Sequence, residues 1–349
     1  MMLHWMSWKP LSGSGNRSRA TLGLEGIRMI NTLGTLCLIW LVLWLVLTLI
    51  LRGLYPLIRS TLFRLHPAHG SVLLLLLWSA PFILSLLATS LLLVPTFGGL
   101  LLAPHCHGDC APHVPTTSTW VLVWSGFTLA VVATLALSWH FAQSLWRGIR
   151  MRKQFDALSS RQAGYRLLAA SEPAVFTLGW WRPRVYISTG LLGGCSSEEL
   201  AIILAHEQAH RKRRDNLRLL LGRVFCLVLP RVWRQSVVHD LHLLCEQSCD
   251  FVAASRYGSL SVAQTLVQVG RVLRRSAAPL QGVAFDGSDL QSRVHALLRL
   301  DSRQLLSRWQ IATLFAAAGL AVLLAVEPLH HGAEWMIDVL EHNMPLAHL

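Results

Sequence analysis

One stretch of the chain combines the residue types and spacing of a metal-dependent hydrolase: His206-Glu207-Gln208-Ala209-His210. On a helix, positions i and i+4 share a face, so both imidazoles can hold a single Zn²⁺ while Glu207 points at the same site as a general base. A bare pattern of this kind also arises by chance, and the bland alternative is a pair of surface histidines on a charged helical turn. Two observations weigh against that alternative. The motif lies in the otherwise apolar run Leu200 to Ala209, where unpaired polar groups are costly. A catalytic zinc also needs a third protein ligand, and Glu246 on the next expected helix is available. Asp250 lies one turn beyond Glu246, placed to hold a ligand histidine by its second ring nitrogen. His242, one turn before Glu246, is the alternative third ligand. Cys245 and Cys249 share a face and read as reduced core thiols.

The elements that must position these groups lie between Ser144 and Arg308, a block long enough for one domain. Its first part reads as strands over Tyr165 to Ala169, Ala174 to Leu178 and Arg184 to Ser188, separated by Pro173, Gly179 and Pro183. A turn region is expected at Thr189-Gly190 and Gly193-Gly194. Ser196 and Glu199 have the spacing of a capping box, so a helix should start near Ser197 and carry the motif into the basic run Arg211 to Arg214. The segment Leu217 to Leu229 is apolar, too short to span a membrane and broken by Arg218 and Arg223, which suits a buried or interfacial helix. Further helices are expected over Val237 to Tyr257, ending at Gly258, and over Val262 to Leu273 and Leu290 to Leu300. The strand Arg184 to Ser188 either adds to an extended substrate or is buried inside a small sheet.

Around this block the chain is too hydrophobic for an ordinary soluble protein: 53% of its 349 residues are apolar, 14% are charged and the mean hydropathy is +0.46. Crossing a hydrocarbon core of ~30 Å takes ~20 helical residues. Runs without Asp, Glu, Lys or Arg that approach this length occur at about 30–51, 71–94, 120–140 and 310–326. The expected architecture is an α-helical multi-pass membrane protein of about four transmembrane helices. Residues 1–143 hold three of them, 144–308 form an inserted α+β metallopeptidase domain, and 309–349 hold the fourth helix and a short tail.

The formal charge of +13 at first suggests a nucleic-acid partner, but its distribution argues for topology instead. Between Ser144 and Arg308 there are 24 Lys and Arg against 12 Asp and Glu, whereas the segment after Trp309 has four acids and no base. The positive-inside rule therefore places 144–308 in the cytoplasm and both the 95–119 loop and the C-terminus outside, with the basic excess facing anionic headgroups. Direct nucleic-acid binding is not expected. The same count makes the stretch around Arg52, Arg59 and Arg64 a short cytoplasmic loop and the N-terminus external. Lys9, Arg17, Arg19 and Arg28 conflict with that last step, and translation starting at Met29 is one resolution. The first helix is too long, and lacks a following small-residue cleavage site, for a removable signal peptide.

The pattern H-E-x-x-H followed by E-x-x-x-D resembles the gluzincin membrane peptidases, and its context narrows the resemblance to the β-lactam-sensing antirepressors of the BlaR/MecR type. The matching text is Pro173 to Gly179, Arg182 to Ile187, Ser197 to Leu200, the motif with Arg213, Arg214 and Asp215, and Cys245 to Asp250. It covers roughly residues 165–255. The resemblance implies a zincin-type (gluzincin) fold with one Zn²⁺ per chain, His206, His210 and Glu246 as ligands, Glu207 as catalytic base and Asp250 supporting a ligand histidine. Asp215 also matches a family position, with a helix-end ion pair to the neighbouring arginines as its alternative role. A side chain assisting the oxyanion is expected without being assignable, Tyr257 and Arg256 being candidates.

The implied function is cleavage of a cytoplasmic protein, such as a transcriptional repressor, in signalling across a bacterial inner membrane. An HtpX-like quality-control protease and a catalytically silent receptor or scaffold are the alternatives. The 23 residues after the fourth helix leave no room for a penicillin-binding sensor, so the input is expected at the loop 95–119. That loop groups His105, Cys106, His107, Asp109, Cys110 and His113. They suit either a soft or borderline metal ion or, in an oxidising compartment, a Cys106–Cys110 disulfide that closes the turn.

Overall fold

The structure, a computed structural model, describes residues 14–92, 117, 119–275, 287–299 and 307–342. The expected input site at His105, Cys106, His107, Cys110 and His113 lies outside these residues. Among the described residues, three helices are long and apolar enough to cross a membrane: Glu25–Arg64 within α1 (Ser14–Arg64), Pro67–Leu91 within α2 (Pro67–Leu92), and α3 (Trp120–Ala157). The fourth apolar run, 310–326, lies in α10 (Arg308–His342).

One expectation about these helices is corrected. The basic stretch at Arg52, Arg59 and Arg64 is not a loop, because α1 continues through Arg64 and only Leu65 and His66 separate it from α2. The helix persists because two of its arginines find partners. Arg59 pairs with Asp240 at 2.6 Å, and the Arg52 guanidinium sits 5.0 Å from the Trp233 ring centre.

The described chain divides into two compact units. One holds the described residues up to Trp44, from Leu84 to Ala133 and from Ala317 onward. Its helices approach closely where Gly126 meets the Gly34 carbonyl with no space for a side chain, the small-residue contact that lets membrane helices touch backbone to backbone. The other unit holds Leu45–Ile83 and Thr134–Ala316.

In that second unit, a four-stranded sheet is followed by helices. The strands are β1 (Ser159–Arg161), β2 (Arg166–Leu168), β3 (Val175–Leu178) and β4 (Arg184–Ser188), in the order β1-β2-β4-β3. β4 runs parallel to β2 and antiparallel to β3. Its central place buries Val185, Tyr186 and Ile187 and rules it out as a docking edge, so of the two expected fates burial holds. β3 is an edge strand. The expected turn after β4 is instead a helical turn, α4 (Thr189–Gly193), capped by Ser188, whose hydroxyl accepts from Leu191 N–H at 3.2 Å.

Helix α5 (Ser197–Arg213) begins with the expected capping box: Ser196 Oγ accepts from Glu199 N–H and the Glu199 carboxylate accepts from Ser196 N–H. Ile203 packs on the sheet with Val185, Ile187, Leu191 and Val269. Ile202 and Ala205 pack on α7 (Arg231–Tyr257), α8 (Ser259–Arg275) and α9 (Gly287–Leu298) through Phe251, Ala254, Val262 and Leu297. The motif helix is thus enclosed, with α6 (Asp215–Phe225) following it directly. The inner ends of α1 and α2 belong to the same unit: Leu51, Tyr55, Leu62, Leu74 and Trp78 share a core with Cys226, Leu241, Leu244 and Cys245.

Candidate metal centre

Residues His206, Glu207 and His210 come from the buried middle and end of α5, Glu246 and Asp250 from α7. His206 and His210 present Nε2 atoms 3.1 Å apart. Glu246 closes the group, its Oε1 3.2 Å from His210 Nε2 and its Oε2 3.5 Å from His206 Nε2. The three ligand atoms all lie within 4.8 Å of one another. Atoms bound about 2.0–2.1 Å from a tetrahedral ion stand roughly 3.3 Å from each other, so this nitrogen, nitrogen and oxygen set fits a divalent ion such as zinc.

Each histidine has its other ring nitrogen near a buried carboxylate. His206 Nδ1 is 2.9 Å from Asp250 Oδ1, a close charge contact not aligned as a hydrogen bond, and His210 Nδ1 is 2.9 Å from Asp215 Oδ2. Such partners fix ring orientation and leave Nε2 for the metal. Asp215 reaches His210 because Arg214 takes a left-handed conformation, φ 55° and ψ 45°, which ends α5 and turns α6 back beside it. A non-glycine residue in that region costs about 1–2 kcal/mol. Asp215 also pairs with the neighbouring arginines, Arg213 and Arg218 lying 3.3 and 3.4 Å from its Oδ1.

The groups lie in a cavity of about 220 Å³ that is mainly apolar, with Val175, Phe176 and Thr177 of β3 along one side and Val262, Leu266 and Val269 of α8 along another. Glu207 is 8% exposed and accepts a hydrogen bond from Thr177 Oγ1 at 2.6 Å. His242 lines the same cavity but stands outside the converging set, 3.6 Å from Glu246 Oε1. Tyr257 and Arg256 do not line it; they sit at the far end of α7. Cys245 and Cys249 are fully buried free thiols, and burial pushes the Cys249 thiol up to about 12.

Three residues that sequence reasoning did not single out join the centre. Arg293 of α9, 6% exposed, grips Asp250 with bonds of 2.8 and 2.7 Å and reaches Glu246 at 3.0 Å. Its only sequence signal is a charge inside an apolar stripe, three residues after Leu290 and four before Leu297. Thr177 orients Glu207, and Asn216 donates to the Thr177 carbonyl at 2.8 Å, pinning β3 beside the site.

Charge balance follows from these contacts. Burial disfavours the charged form of Glu246, but Arg293 and the histidines outweigh it and hold the carboxyl well below its usual range. Asp250 is likewise held down against burial, chiefly by Arg293. Burial opposes protonation of His206, yet Asp250 and Glu246 raise its pKa; for His210 the opposing burial is outweighed by the Glu246 and Asp215 carboxylates, and the rise is larger. His242 moves the other way, lowered by burial.

The family model described as BlaR1 peptidase M56 matches residues 113–297, more than half of the chain. No curated protein and no solved structure matches it.

Proposed function

The chain belongs to the BlaR1 peptidase M56 family, and on that premise we propose that it is a zinc-dependent endopeptidase of a bacterial cytoplasmic membrane, cutting a cytoplasmic protein such as a transcriptional repressor. The observation that carries this reading is the convergence of His206, His210 and Glu246 in one cavity with Glu207. In this reading a fourth crossing at 310–326 completes the membrane region, and the basic excess of 144–308 keeps the peptidase in the cytoplasm.

His206 Nε2, His210 Nε2 and a Glu246 carboxylate oxygen would hold the zinc, with Asp215 fixing the His210 tautomer and Asp250 facing His206 Nδ1. When bound there, zinc supplies Lewis acidity, polarising the scissile carbonyl and making the attacking water more acidic. Glu207 takes the proton of that water on a carboxylate oxygen and passes it to the leaving amine. Thr177 Oγ1, donating to Glu207 Oε2, holds the carboxylate by one oxygen. The substrate adds as an extended strand along the outer edge of β3, which lines the cavity, rather than along β4. The apolar walls exclude bulk water from the reacting atoms.

The test is a pair of variants in the full-length purified protein. Glu207→Gln should keep one zinc per chain and lose proteolysis, whereas His210→Ala should lose both. Unchanged proteolysis in Glu207→Gln would overturn the role of the base. Comparing new protein N-termini in cells carrying wild type or Glu207→Gln then reads the substrate class. One or a few cytoplasmic cleavages support regulation, and many membrane-protein fragments replace it with quality control.

A further inference from the structure

Each ligand-bearing helix is tied by a polar contact to a different membrane helix. Asp240 lies on α7, six residues before Glu246, or about 9 Å along the axis. Its carboxylate is 2% exposed and takes three bonds from α1: Tyr55 Oη at 2.7 Å, Arg59 Nε at 2.6 Å and Arg59 Nη2 at 2.8 Å. On the other side Arg213, the last residue of α5, donates through Nη2 to Ser71 Oγ of α2 at 2.9 Å and through Nε to Asp215 Oδ2 at 3.3 Å. That same Asp215 oxygen faces His210 Nδ1.

We propose that Arg213 and Asp240 are positioning residues through which the paired inner ends of α1 and α2 set the spacing of His210 and Glu246 around the metal. This rests on the zinc-peptidase reading above. Three physical arguments support it. A buried carboxylate deprived of its donors leaves an uncompensated charge, so Asp240 holds α7 to α1 rather than merely touching it. α7 is an unbroken helix between Asp240 and Glu246, so a displacement at one is carried to the other. The spacing at the ligands is also tight: Glu246 belongs to α7 and His210 to α5, and a relative shift of the two helices changes the 3.2 Å separation between them directly. The turn joining α1 to α2 is only Leu65 and His66, so the two tethers move as one body. Close packing reinforces this, since a side chain at Gly70 would meet the Leu62 carbonyl and Leu244.

The tethers explain why polar groups occupy an otherwise apolar contact between the hairpin and α7. Leu51, Leu62, Leu74 and Trp78 already bury surface against Leu241 and Leu244. Apolar packing tolerates sliding, whereas a carboxylate bonded to a planar guanidinium fixes register.

The experiment uses the full-length protein in detergent or lipid nanodiscs, loaded with Co²⁺ as a spectroscopic replacement for Zn²⁺. Asp240→Asn, Arg213→Gln and the milder Tyr55→Phe and Ser71→Ala are compared with wild type in Co²⁺ absorption, metal affinity by chelator competition, and thermal midpoint. The expected result is a changed cobalt spectrum and about tenfold weaker metal binding for Arg213→Gln and Asp240→Asn. Tyr55→Phe and Ser71→Ala, which remove single hydroxyls and leave the fold intact, should move the spectrum in the same direction by a smaller amount. In Arg59→Gln combined with Asp240→Asn, the metal-affinity losses should not add, because both report one contact. A fall in thermal midpoint with spectrum and affinity unchanged in all four single variants overturns the proposal and makes these contacts purely structural. Wild-type protein that binds neither metal overturns the zinc reading and this inference together; wild-type binding that every variant shares overturns the inference alone.

Discussion

The two histidines of the candidate metal centre have supports of the same type and different construction. His206 faces Asp250, which is clamped by Arg293, and all three lie inside the peptidase fold, with the aspartate fully buried. His210 faces Asp215, whose arginine contacts are longer, 3.3 Å to Arg213 and 3.4 Å to Arg218, and lead outward to Ser71 of α2. The first support is a closed charge cluster in which one guanidinium serves two carboxylates, Asp250 and Glu246. The second is an open one, shared among several cations and a thiol, with Cys249 Sγ 3.4 Å from Asp215 Oδ2. The first depends on a single arginine, whereas the second divides its charge between Arg213 and Arg218, of which Arg213 alone leads on to α2.

The largest effect should therefore follow Arg293→Gln in the metal-free protein. Removing one partner of a buried ion pair costs about 3–5 kcal/mol because the remaining charge is stranded. Here two carboxylates are left together. Thermal or chemical unfolding of the metal-free variant should show this loss, and zinc should restore part of it by giving Glu246 a cation again. A variant as stable as wild type without metal would remove the asymmetry between the two supports.

A smaller contrast is expected in metal affinity. Asp250→Asn should weaken zinc binding about 100-fold and Asp215→Asn about tenfold, the two ends of the range for such supporting carboxylates. Losing Asp250 does more because Arg293 then turns wholly on Glu246 and competes with the metal for it. Chelator competition measures both, and equal losses would show that the arginine arrangement does not matter. The same asymmetry appears in protonation. Both histidines have raised pKa values in the metal-free protein, His210 more than His206. Their contribution to its stability is present below the unfolded value of about 6.5 and is lost as pH rises through the raised folded values. Zinc uptake at pH 7 should accordingly release protons, seen as a binding enthalpy that changes with the ionisation enthalpy of the buffer. A buffer-independent enthalpy would mean that the imidazoles are already neutral.

How much of this was readable from the sequence depends on how local the cause is. The start of α5 was legible because Ser196 and Glu199 cap each other three residues apart, and the shared face of His206 and His210 follows from one helical turn. The spacing of Glu246 and Asp250 told that both lie on one face of α7, without telling which support is the stronger. Arg293 was illegible: its partner Asp250 is 43 residues away, and nothing in the apolar stripe of α9 marks an arginine as buried. The continuation of α1 past Arg52 was misread as a loop for the same reason, since Arg59 is satisfied by Asp240 across 181 residues. β1 escaped notice because Ser159–Arg161 is three polar residues with no alternation to detect.

The smallest effect is expected where a support touches the base instead of a ligand. Thr177 Oγ1 donates to Glu207 Oε2 at 2.6 Å, and among the described residues its hydroxyl bonds to Glu207 rather than to either histidine or Glu246. Thr177→Val keeps the β-branch and its strand preference, so β3 and its bond from Asn216 to the Thr177 carbonyl should survive. What disappears is one hydrogen bond to a charged acceptor, worth about 1.5–3 kcal/mol in general. Only the part that orients the carboxylate for proton transfer bears on the rate. The prediction is a kcat reduced about three- to tenfold on a casein probe, with KM and zinc content unchanged. That pattern differs in kind from Asp250→Asn and Asp215→Asn, which should lower activity in proportion to the metal they lose and recover it when zinc is raised. If Thr177→Val is also rescued by added zinc, Thr177 supports the ligands after all, and the division between base and metal supports must be redrawn.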